Sequence, residues 1–402
     1  MNILVQKFGG TSVSTPERRE MAVSKVIKAV ENGFSVVVVV SAMGRNGDPY
    51  ATDTLINMAK SINEDMSKRE LDLLMTCGEI ISSVIFAATL SSKGYKAKVF
   101  TGGQAGIITD DNFGNAEIIK VEPTRLLESL SEGIIPIVAG FQGMTREGDV
   151  TTLGRGGSDT TAALLGEALK ASAVEIYTDV DGIMTADPRI VSKAHILKKI
   201  SYNEVFQFAE QGAKVVHPRA VEIAMRGNIP LVIKNTLSDS PGTIITQYNE
   251  AYDNIYDIDK LVTGIANMDN RVQISIENGE NTEGIFEKIA DHKISIDLIN
   301  IFPEKQVFTI SAADFDKLKR IFEENNIKYS CRTNCSKVSI IGNRIRGVPG
   351  VMARIIKVLS KHNIEIYQTA DSHNTISCLV SQDKAEEAVR VLHDEFKLEE
   401  IE

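Results

Sequence analysis

A lysine followed by two glycines stands near the start of the chain, in the segment VQKFGGTSV (5–13). Lys7 ends an apolar run that is typical of a buried strand, and Gly9 and Gly10 open the turn that follows. A phosphoryl group in transfer carries spread negative charge, which a fixed ammonium group and backbone N–H donors stabilise. The segment therefore predicts a phosphate-binding turn; the alternative is an exposed lysine before an ordinary turn.

A second glycine-rich segment, GRGGSD (154–159), opens onto the apolar helical pattern TTAALLGEAL (160–169). It holds an arginine and an aspartate, and it lacks the G-x-x-x-x-G-K-[ST] spacing of a Walker loop. Taken alone, it is compatible with a phosphate site, a substrate site or a flexible turn before a core helix.

Composition excludes several classes of protein. The chain has 402 residues, 43% of them hydrophobic and 24% charged, with a formal net charge of −10. This length suits two or three domains. No basic stripe is present, so a nucleic-acid partner is not expected. An acidic protein that binds an anionic nucleotide must concentrate its positive groups locally, which makes lysines and arginines beside glycines informative.

Cysteine usage and hydropathy indicate a cytoplasmic protein with no membrane partner. The four cysteines form no C-x-x-C pair, which favours reduced thiols over a zinc site. The start MNILVQKFGG has too few apolar residues before its glycine turn for a signal peptide. The run SVVVVVSAM is too short to span a bilayer.

The first 245 residues alternate short β-branched runs with amphipathic helical patterns, which predicts an α/β fold with a mainly parallel sheet covered on both faces. In such sheets ligands gather at the carboxyl ends of the strands. Four strand candidates end in glycine turns, GGTS, MG, QG and DG, which favours a nucleotide site at that edge. The predicted strands cover 2–8, 35–42, 96–101, 136–141, 174–180 and 229–236.

The last third of the chain contains an internal repeat. The segment GIFEKIADHKISID (284–297) matches RIIKVLSKHNIEIY (354–367) at an offset of 70 residues. Each unit predicts a ferredoxin-like βαββαβ plan, although its last strand is unclear. A duplicated module of this kind suggests small-ligand binding; the alternative is two structural domains without a ligand. The predicted boundaries are a first domain at 1–245, a polar linker at 246–262, and repeats at 263–335 and 336–402.

Six motifs in order, KFGGTSV, SAMG, CGEIIS, GRGGSDTTA, TDVDGIMTADPR and GAKVVHPRA, resemble those of the aspartokinases. The repeat is similar to the tandem ACT domains of the same enzymes, and the resemblance covers nearly the whole chain. It implies an amino-acid kinase domain, which is an αβα sandwich, followed by two ferredoxin-like ACT domains. The long segment RNGDPYATDTL after SAMG, with ADSHNT (370–375), resembles the diaminopimelate-sensitive subgroup of Gram-positive bacteria.

The resemblance implies transfer of a phosphoryl group from Mg-ATP to the side-chain carboxylate of L-aspartate, giving 4-phospho-L-aspartate. This is the first step towards lysine and diaminopimelate, threonine and methionine. The acceptor carboxylate is ionised at neutral pH and needs no general base. ATP and Mg²⁺ are the implied cofactors, with no protein ligand assigned to the metal.

Site roles follow from the same resemblance. Lys7 stabilises the transferred phosphoryl charge, and Asp159 orients Lys7 or assists magnesium. Arg155 grips the α-carboxylate of aspartate through two hydrogen bonds, and Glu79 pairs with its α-ammonium. The other implied substrate residues are Thr52, Gly156, Gly157 and Ser158.

ATP is expected at the turn residues and at TDVDGIMTADPR. Met184 stands where the family often has an aromatic residue, and a thioether can still cover a base. His217 is interpreted as structural, because the reaction needs no proton shuttle. The implied ATP residues are Lys7, Phe8, Gly9, Gly10, Ser41, Thr178, Asp179, Met184, Arg189 and Lys214.

An amino-acid effector, diaminopimelate, lysine or threonine, is expected in the ACT region. Its charged ends would meet Asp297 and Asn300, or Gln368 and Asp371. The first repeat lacks the Pro-Gly of the second loop, so its site is expected to be altered or empty. ACT domains pair with ACT domains, which implies a homodimer or a larger assembly.

Two other functions remain open at this point. One is a different amino-acid kinase, acting on glutamate, carbamate or a nucleotide. The other is an amino-acid sensor that has lost catalysis. The pair of Glu79 and Arg155 favours aspartate, and an intact Lys7 and Asp159 favour an active enzyme.

Overall fold

The computed structural model describes residues 1–213, 215–247, 261–277, 284–343, 345 and 347–399. The chain divides into two compact units. The first comprises Met1–Ile183, Ile196–Ala209 and Lys214–Asn249, and the second comprises Met184–His195, Glu210–Ala213 and Glu250–Glu402. The sequence predicts a single boundary between these two parts of the chain, at the linker 246–262, most of which lies outside the described residues. The two units instead interleave, since two short segments before residue 245 belong to the second.

The first unit is built on two sheets. Eight strands form a sheet in the order β10-β12-β11-β9-β1-β2-β6-β3, which is parallel except between β11 and β12. Four short strands form a second sheet in the order β5-β4-β7-β8. The strands are β1 (Ile3–Phe8), β2 (Ser35–Val40), β3 (Ala97–Phe100), β4 (Ile107–Thr109), β5 (Ile118–Val121), β6 (Ile135–Ala139), β7 (Gln142–Met144), β8 (Val150–Thr152), β9 (Ala173–Thr178), β10 (Lys199–Ser201), β11 (Leu231–Asn235) and β12 (Thr243–Thr246).

Helices cover both faces of the large sheet. A Cβ added at Gly166 would lie 2.4 Å from Val174 Cγ2, so α5 packs closely on one face of β9. Val23 and Val26 of α1 share a core cluster with Leu4, on the other face. The predicted α/β fold with a mainly parallel sheet is confirmed. The helices are α1 (Pro16–Glu31), α2 (Thr52–Lys60), α3 (Lys68–Ser92), α4 (Thr124–Ser131), α5 (Gly157–Leu169), α6 (Tyr202–Glu210) and α7 (Pro218–Gly227).

Helix α3 is long and apolar enough to cross a membrane by length and composition alone. The core helix of a soluble protein passes the same test, so this is weak evidence. Two carboxylates, Asp72 and Glu79, lie on α3 and are 0% and 3% exposed. Their burial against the strands of the first unit identifies this face of α3 as part of the protein core.

The second unit contains one six-stranded sheet in the order β14-β15-β13-β16-β18-β17. Equivalent positions of the two repeats are buried alike: Ile294 and Ile364 are 5% and 3% exposed, and Leu318 and Ala388 are both 0% exposed. The strands are β13 (Val262–Glu277), β14 (Ile296–Ile301), β15 (Lys305–Ser311), β16 (Tyr329–Gly342), β17 (Gln368–Asp371) and β18 (Thr375–Ser381). The helices are α8 (Ile285–Asp291), α9 (Phe315–Glu324), α10 (Val351–Lys361) and α11 (Ala385–Glu395).

The long strands β13 and β16 pair along most of their length and join the two repeats. The second half of β13 pairs with Tyr329–Cys335, which closes the first repeat. The first half, Val262–Met268, pairs antiparallel with Lys337–Gly342 at the start of the second repeat. The missing last strand of the second repeat therefore precedes the first repeat in the sequence, and the first repeat is inserted within the second.

The segment Met184–His195 packs within the second unit. Ala186 and Val191 are part of a core cluster of that unit. Thr185 Oγ1 lies 2.9 Å from Nε2 of the buried His393. The Ile265 N–H also donates to the Thr185 carbonyl at 2.8 Å. The segment Met184–His195 therefore belongs to the core of the second unit.

Candidate functional site

Adjacent strands bring the predicted turns to one edge of the large sheet, where β9, β1, β2 and β6 lie side by side. Thr178 ends β9, Lys7 is the next-to-last residue of β1, and Ser41 and Gly140 follow β2 and β6. Main-chain hydrogen bonds of 3.0–3.2 Å join successive ends, from Gly9 N–H to Tyr177 O, Ser41 N–H to Phe8 O, and Gly140 N–H to Val40 O. The glycine turns therefore share one surface.

Lys7 forms an ion pair with Asp159 across this edge. Lys7 Nζ lies 2.6 Å from Asp159 Oδ1, and both side chains are largely buried. Asp159 lies in the first turn of α5, where the helix dipole favours negative charge. Its Oδ2 accepts a hydrogen bond of 3.4 Å from the His217 N–H. The ammonium group is thus held in place by a carboxylate that is itself anchored.

Gly10 brings the first turn into close contact with the second. A Cβ added at Gly10 would lie 2.6 Å from the Ala42 carbonyl oxygen and 2.8 Å from that of Gly44. Gly44 N–H donates back to the Gly10 carbonyl at 3.1 Å. At Gly9 the added Cβ would lie 3.6 Å from Lys7 Nζ. Any side chain at Gly10 would therefore separate the turn that holds Lys7 from the turn after β2.

Glu79 is a buried carboxylate that lacks a cation within the described residues. Its Oε1 accepts a hydrogen bond of 3.3 Å from the Ala42 N–H, and the Thr52 hydroxyl is a second donor. Its Oε2 is buried without a partner among the described residues. Burial raises the pKa of Glu79 to about 8, because the charged form is poorly solvated there. A cationic group of a ligand would satisfy the free oxygen and restore the ionised form.

Residues 153–159, which are predicted to bind substrate and are called the substrate loop below, present Arg155 to solvent. Arg155 is exposed and makes no hydrogen bond or ion pair with any residue that the structure describes. Gly156 has a φ of +68°, a region that favours glycine. The space beside Gly140 is filled by Ser158, whose Oγ would be 2.8 Å from an added Cβ. The loop thus has a defined backbone and a free guanidinium.

Replacing Gly156 with alanine is expected to lower stability, because the left-handed backbone costs about 1–2 kcal/mol in an L-residue and the new Cβ would lie 2.1 Å from the His217 ring. The melting temperature and the Michaelis constant for the acceptor measure both effects. Gly33→Ala is the matched control, since Gly33 also has a positive φ, +85°, but nothing within 4 Å of an added Cβ. Equal losses of melting temperature in Gly156→Ala and Gly33→Ala would show that the contact with His217 adds nothing to the cost.

His217 caps helix α7, which supports its structural interpretation. Its Nδ1 accepts a hydrogen bond of 3.3 Å from the Arg219 N–H, and Pro218 follows at the first helical position. The ring also closes the space beside Gly156. His217 therefore supports the substrate loop from the side of α7.

The implied ATP residues divide between the two units. Thr178 and Asp179 lie in the first unit, where Asp179 Oδ2 accepts a hydrogen bond of 2.8 Å from Arg45. Met184 and Arg189 lie in the second unit, and Arg189 pairs with Asp187. Lys214 lies outside the described residues.

The side chain of Phe8, one of the implied ATP residues, is buried in the core. The ring is 0% exposed and stacks on Tyr177 with centroids 4.8 Å apart. Only the main chain of Phe8 is available at the strand end, and its carbonyl already accepts the Ser41 N–H. The apolar residue after Lys7 therefore belongs to the core.

The proposed effector residues do not all line one pocket. Asn300 and Asp371 line a cavity of about 590 Å³, together with Ile299, Ile345 and Met352. Asp297 instead pairs with Lys337, and with Arg271 at 3.7 Å. Gln368 donates to Asn300 Oδ1 at 2.7 Å and accepts from Gln273 at 2.9 Å. The loop of the first repeat, 277–284, lies almost wholly outside the described residues.

Asp72 on α3 is a buried residue near the site that the sequence motifs do not include. Its carboxylate is 0% exposed and accepts hydrogen bonds from Thr152 and Gly114. A carboxylate seven residues before Glu79, within an apolar helix, is the signal that could have found it, since that spacing places both on one helix face.

Family comparison gives two matches. The amino acid kinase family matches residues 2–235, and an ACT domain matches residues 330–394. The first match covers the residues of the large sheet from β1 to β11, and the second covers most of the second repeat.

Similar proteins align over nearly the whole chain. Aspartokinase 1 of Bacillus subtilis is 44% identical over 403 residues, which cover 99% of this chain and 100% of that protein. The structure of E. coli aspartokinase III in complex with aspartate and ADP has a TM-score of 0.75 at 28% identity, covering 98% of this chain and 99% of that one. The same enzyme in complex with lysine and aspartate has a TM-score of 0.78 at 28% identity, covering 98% and 100%.

Proposed function

This chain belongs to the aspartokinases, and from that premise we propose that it transfers the γ-phosphoryl group of Mg-ATP to the side-chain carboxylate of L-aspartate. The product is 4-phospho-L-aspartate. The proposal rests on two groups that lie in the same unit. One is a fixed ammonium, Lys7 beside Asp159, and the other is a buried carboxylate without a cation among the described residues, Glu79. The ammonium would stabilise the negative charge of a phosphoryl group, and the carboxylate would bind the α-ammonium of an amino acid.

Lys7 would stabilise the transferring phosphoryl group. Charge spreads over its oxygens in the transition state, and a preorganised ammonium at a glycine turn opposes that charge without reorganising. Asp159 holds Lys7 in position through the 2.6 Å ion pair. The attacking aspartate carboxylate is already ionised, so alignment rather than deprotonation is the remaining requirement.

Glu79 and Arg155 would bind the two charges of the α-carbon of aspartate. The free Oε2 of Glu79 would accept the α-ammonium, and the exposed guanidinium of Arg155 would grip the α-carboxylate. Thr52 supports Glu79, while Gly156, Gly157 and Ser158 would line the pocket. The side-chain carboxylate is then left to point towards Lys7.

ATP would bind at the strand ends, with Gly9, Gly10 and Ser41 near its phosphates and Thr178 and Asp179 near its nucleoside. The described residues contain no group of three or more His, Cys, Asp or Glu side chains that could hold a metal ion. We propose that Mg²⁺ would enter with the nucleotide and would neutralise phosphate charge there, with Asp159 as the residue that would assist it. Met184, Arg189 and Lys214 remain proposed ATP contacts.

A hydroxylamine trap tests the reaction. Protein, Mg-ATP and L-aspartate are mixed with hydroxylamine, and aspartyl hydroxamate is measured by colour. Colour that requires aspartate supports the proposal. Colour with glutamate alone would identify a different amino-acid kinase, and ATP binding without product from any acceptor would identify a sensor.

Regulation by an amino acid is proposed for the cavity lined by Asn300 and Asp371. Asn300→Ala and Asp371→Ala are expected to weaken inhibition by about 5- to 150-fold, the usual range of allosteric coupling, with the uninhibited rate kept. Lysine, diaminopimelate and threonine are added singly and in pairs. Glu365→Ala, at an exposed position of the repeat that contains Asp371, is the control, and unchanged inhibition in both cavity variants would contradict the assignment.

Three further assignments complete the proposal. The enzyme acts in the cytoplasm at the first step towards lysine, threonine and methionine. It assembles as a homodimer or larger homo-oligomer through its ACT domains. Its expected effector is diaminopimelate, as in the diaminopimelate-sensitive subgroup of Gram-positive bacteria, and the inhibition assays with lysine, diaminopimelate and threonine test this.

A further inference from the structure

Asp72 fixes the strand that leads into the substrate loop. Its Oδ2 accepts hydrogen bonds from Thr152 N–H at 2.8 Å and Gly114 N–H at 2.9 Å, and its Oδ1 accepts from the Thr152 hydroxyl at 2.8 Å. The carboxylate is fully buried, and no ion pair to it is found within the described residues. A buried carboxylate is costly unless neighbouring donors satisfy it, so these three hydrogen bonds tie α3 firmly to β8.

Arg219 holds the next residue of the same strand from helix α7. Its Nη1 donates to the Leu153 carbonyl at 3.0 Å, and its Nη2 donates to the Ala116 carbonyl at 3.2 Å. The Ala116 N–H in turn donates to the Thr152 carbonyl at 2.9 Å. Two side chains from two helices therefore fix consecutive residues immediately before Gly154.

These contacts anchor the two residues from which the loop that carries Arg155 starts. Gly154 and Gly156 have φ values of +74° and +68°, so the loop follows an unusual path from its anchored start. Helix α3 also carries Glu79 on the same face as Asp72, seven residues or about 10 Å further along. One rigid helix thus holds the proposed ammonium site directly and the start of the proposed carboxylate site through Asp72.

We propose that Asp72 and Arg219 are positioning residues for the amino-acid substrate: by anchoring Thr152 and Leu153 they hold the loop that carries Arg155 in place relative to Glu79. This inference rests on the proposed function. Neither residue touches the substrate, so their loss should affect aspartate binding more than ATP binding.

The test compares Asp72→Asn, Asp72→Ala, Arg219→Lys and Thr152→Val in the hydroxamate assay. A shift of about 1 Å in a positioned group costs up to roughly 100-fold, so the KM for aspartate is expected to rise about 10- to 100-fold in Asp72→Ala. In Asp72→Asn and Thr152→Val, which each lose only part of the hydrogen-bond network, the KM for aspartate should rise less. The KM for ATP should stay within about twofold in all four variants.

Glu175→Gln is the matched control. Glu175 is also a buried carboxylate with three partners, Gln6, Tyr177 and Lys234. Because Val174 faces α5, Glu175 lies on the opposite face of the sheet from the substrate loop. Glu175→Gln should lower the melting temperature while both Michaelis constants stay unchanged.

The possible outcomes separate the inference from the function on which it rests. A wild-type protein that makes no hydroxamate contradicts the proposed function. An active wild type whose folded variants keep the aspartate KM, or raise the KM for aspartate and ATP equally, overturns the positioning role. If the Asp72 variants do not fold, the KM values of Arg219→Lys and Thr152→Val for aspartate and ATP test the positioning role by the same criteria.

Discussion

Lys7→Ala is expected to reduce aspartyl phosphate formation by about 10²- to 10³-fold in kcat, the loss found when one preorganised donor to a developing negative charge is removed. The ammonium lies 2.6 Å from Asp159 near the end of β1, beside the turn that Gly9 and Gly10 open. The rate of hydroxamate formation at saturating ATP and aspartate measures the effect.

Lys25→Ala is the control for the loss of a lysine. Lys25 also forms an ion pair, with Asp239 at 2.7 Å, but it lies on α1. Both variants should fold, which circular dichroism verifies. If Lys7→Ala kept more than about a tenth of the wild-type kcat, or if Lys25→Ala lost as much, the role of Lys7 in charge stabilisation would be wrong.

Glu79→Gln is expected to raise the KM for aspartate strongly. Truncating one side of a buried, hydrogen-bonded charge pair costs about 2–5 kcal/mol, which is roughly 30-fold to several-thousand-fold. Glutamine keeps the size of the side chain, so Ala42 and Thr52 retain a neighbour while the charge is lost. The KM for ATP should change little, and a similar rise in both constants would contradict the assignment.

The pH dependence gives a second measurement of Glu79. Its pKa of about 8 means that the free enzyme is mostly protonated at this site at neutral pH, while an α-ammonium requires the ionised form. The kcat/KM for aspartate should therefore rise with pH up to about pH 8, and this rise should disappear in Glu79→Gln.

Stability should change in the opposite direction. Since the folded state raises the pKa of Glu79 above 4.5, the folded protein binds more protons than the unfolded chain between pH 4.5 and about 8. The free energy of unfolding of the unliganded protein therefore falls across that window as pH rises. Glu79→Gln removes this contribution, so the variant should be the more stable protein at pH 8 although it binds aspartate poorly.

Several parts of the site could be predicted because they are local. The run 2–8 is a strand in the structure, Ile3–Phe8, and the glycines after Lys7 follow it directly. The sheet order places the ends of β9, β1, β2 and β6 together, as expected for a parallel α/β sheet. Short patterns of this kind depend on neighbouring residues and are visible in one sequence.

Asp72 could not be placed because its role depends on distant donors. Helical periodicity shows which face of α3 is buried, but it does not show that Gly114 and Thr152 bring three hydrogen bonds to that face. The unit to which Met184 and Arg189 belong is not visible in the sequence either. They follow β9 in sequence, yet contacts such as the one between Thr185 and His393 place their segment in the second unit.

The pairing of β13 with β16 also constrains the order in which parts of the protein can fold during synthesis. Val262 pairs with Gly342, about 80 residues later. At about 5–20 residues per second on the ribosome, that partner emerges roughly 4–16 seconds after Val262. The first repeat can fold during this interval. Residues 262–268 meanwhile have no partner strand and form an exposed edge that other chains can contact. A chain that stops before residue 337 would keep that edge permanently, so premature termination should yield aggregation rather than a smaller folded enzyme.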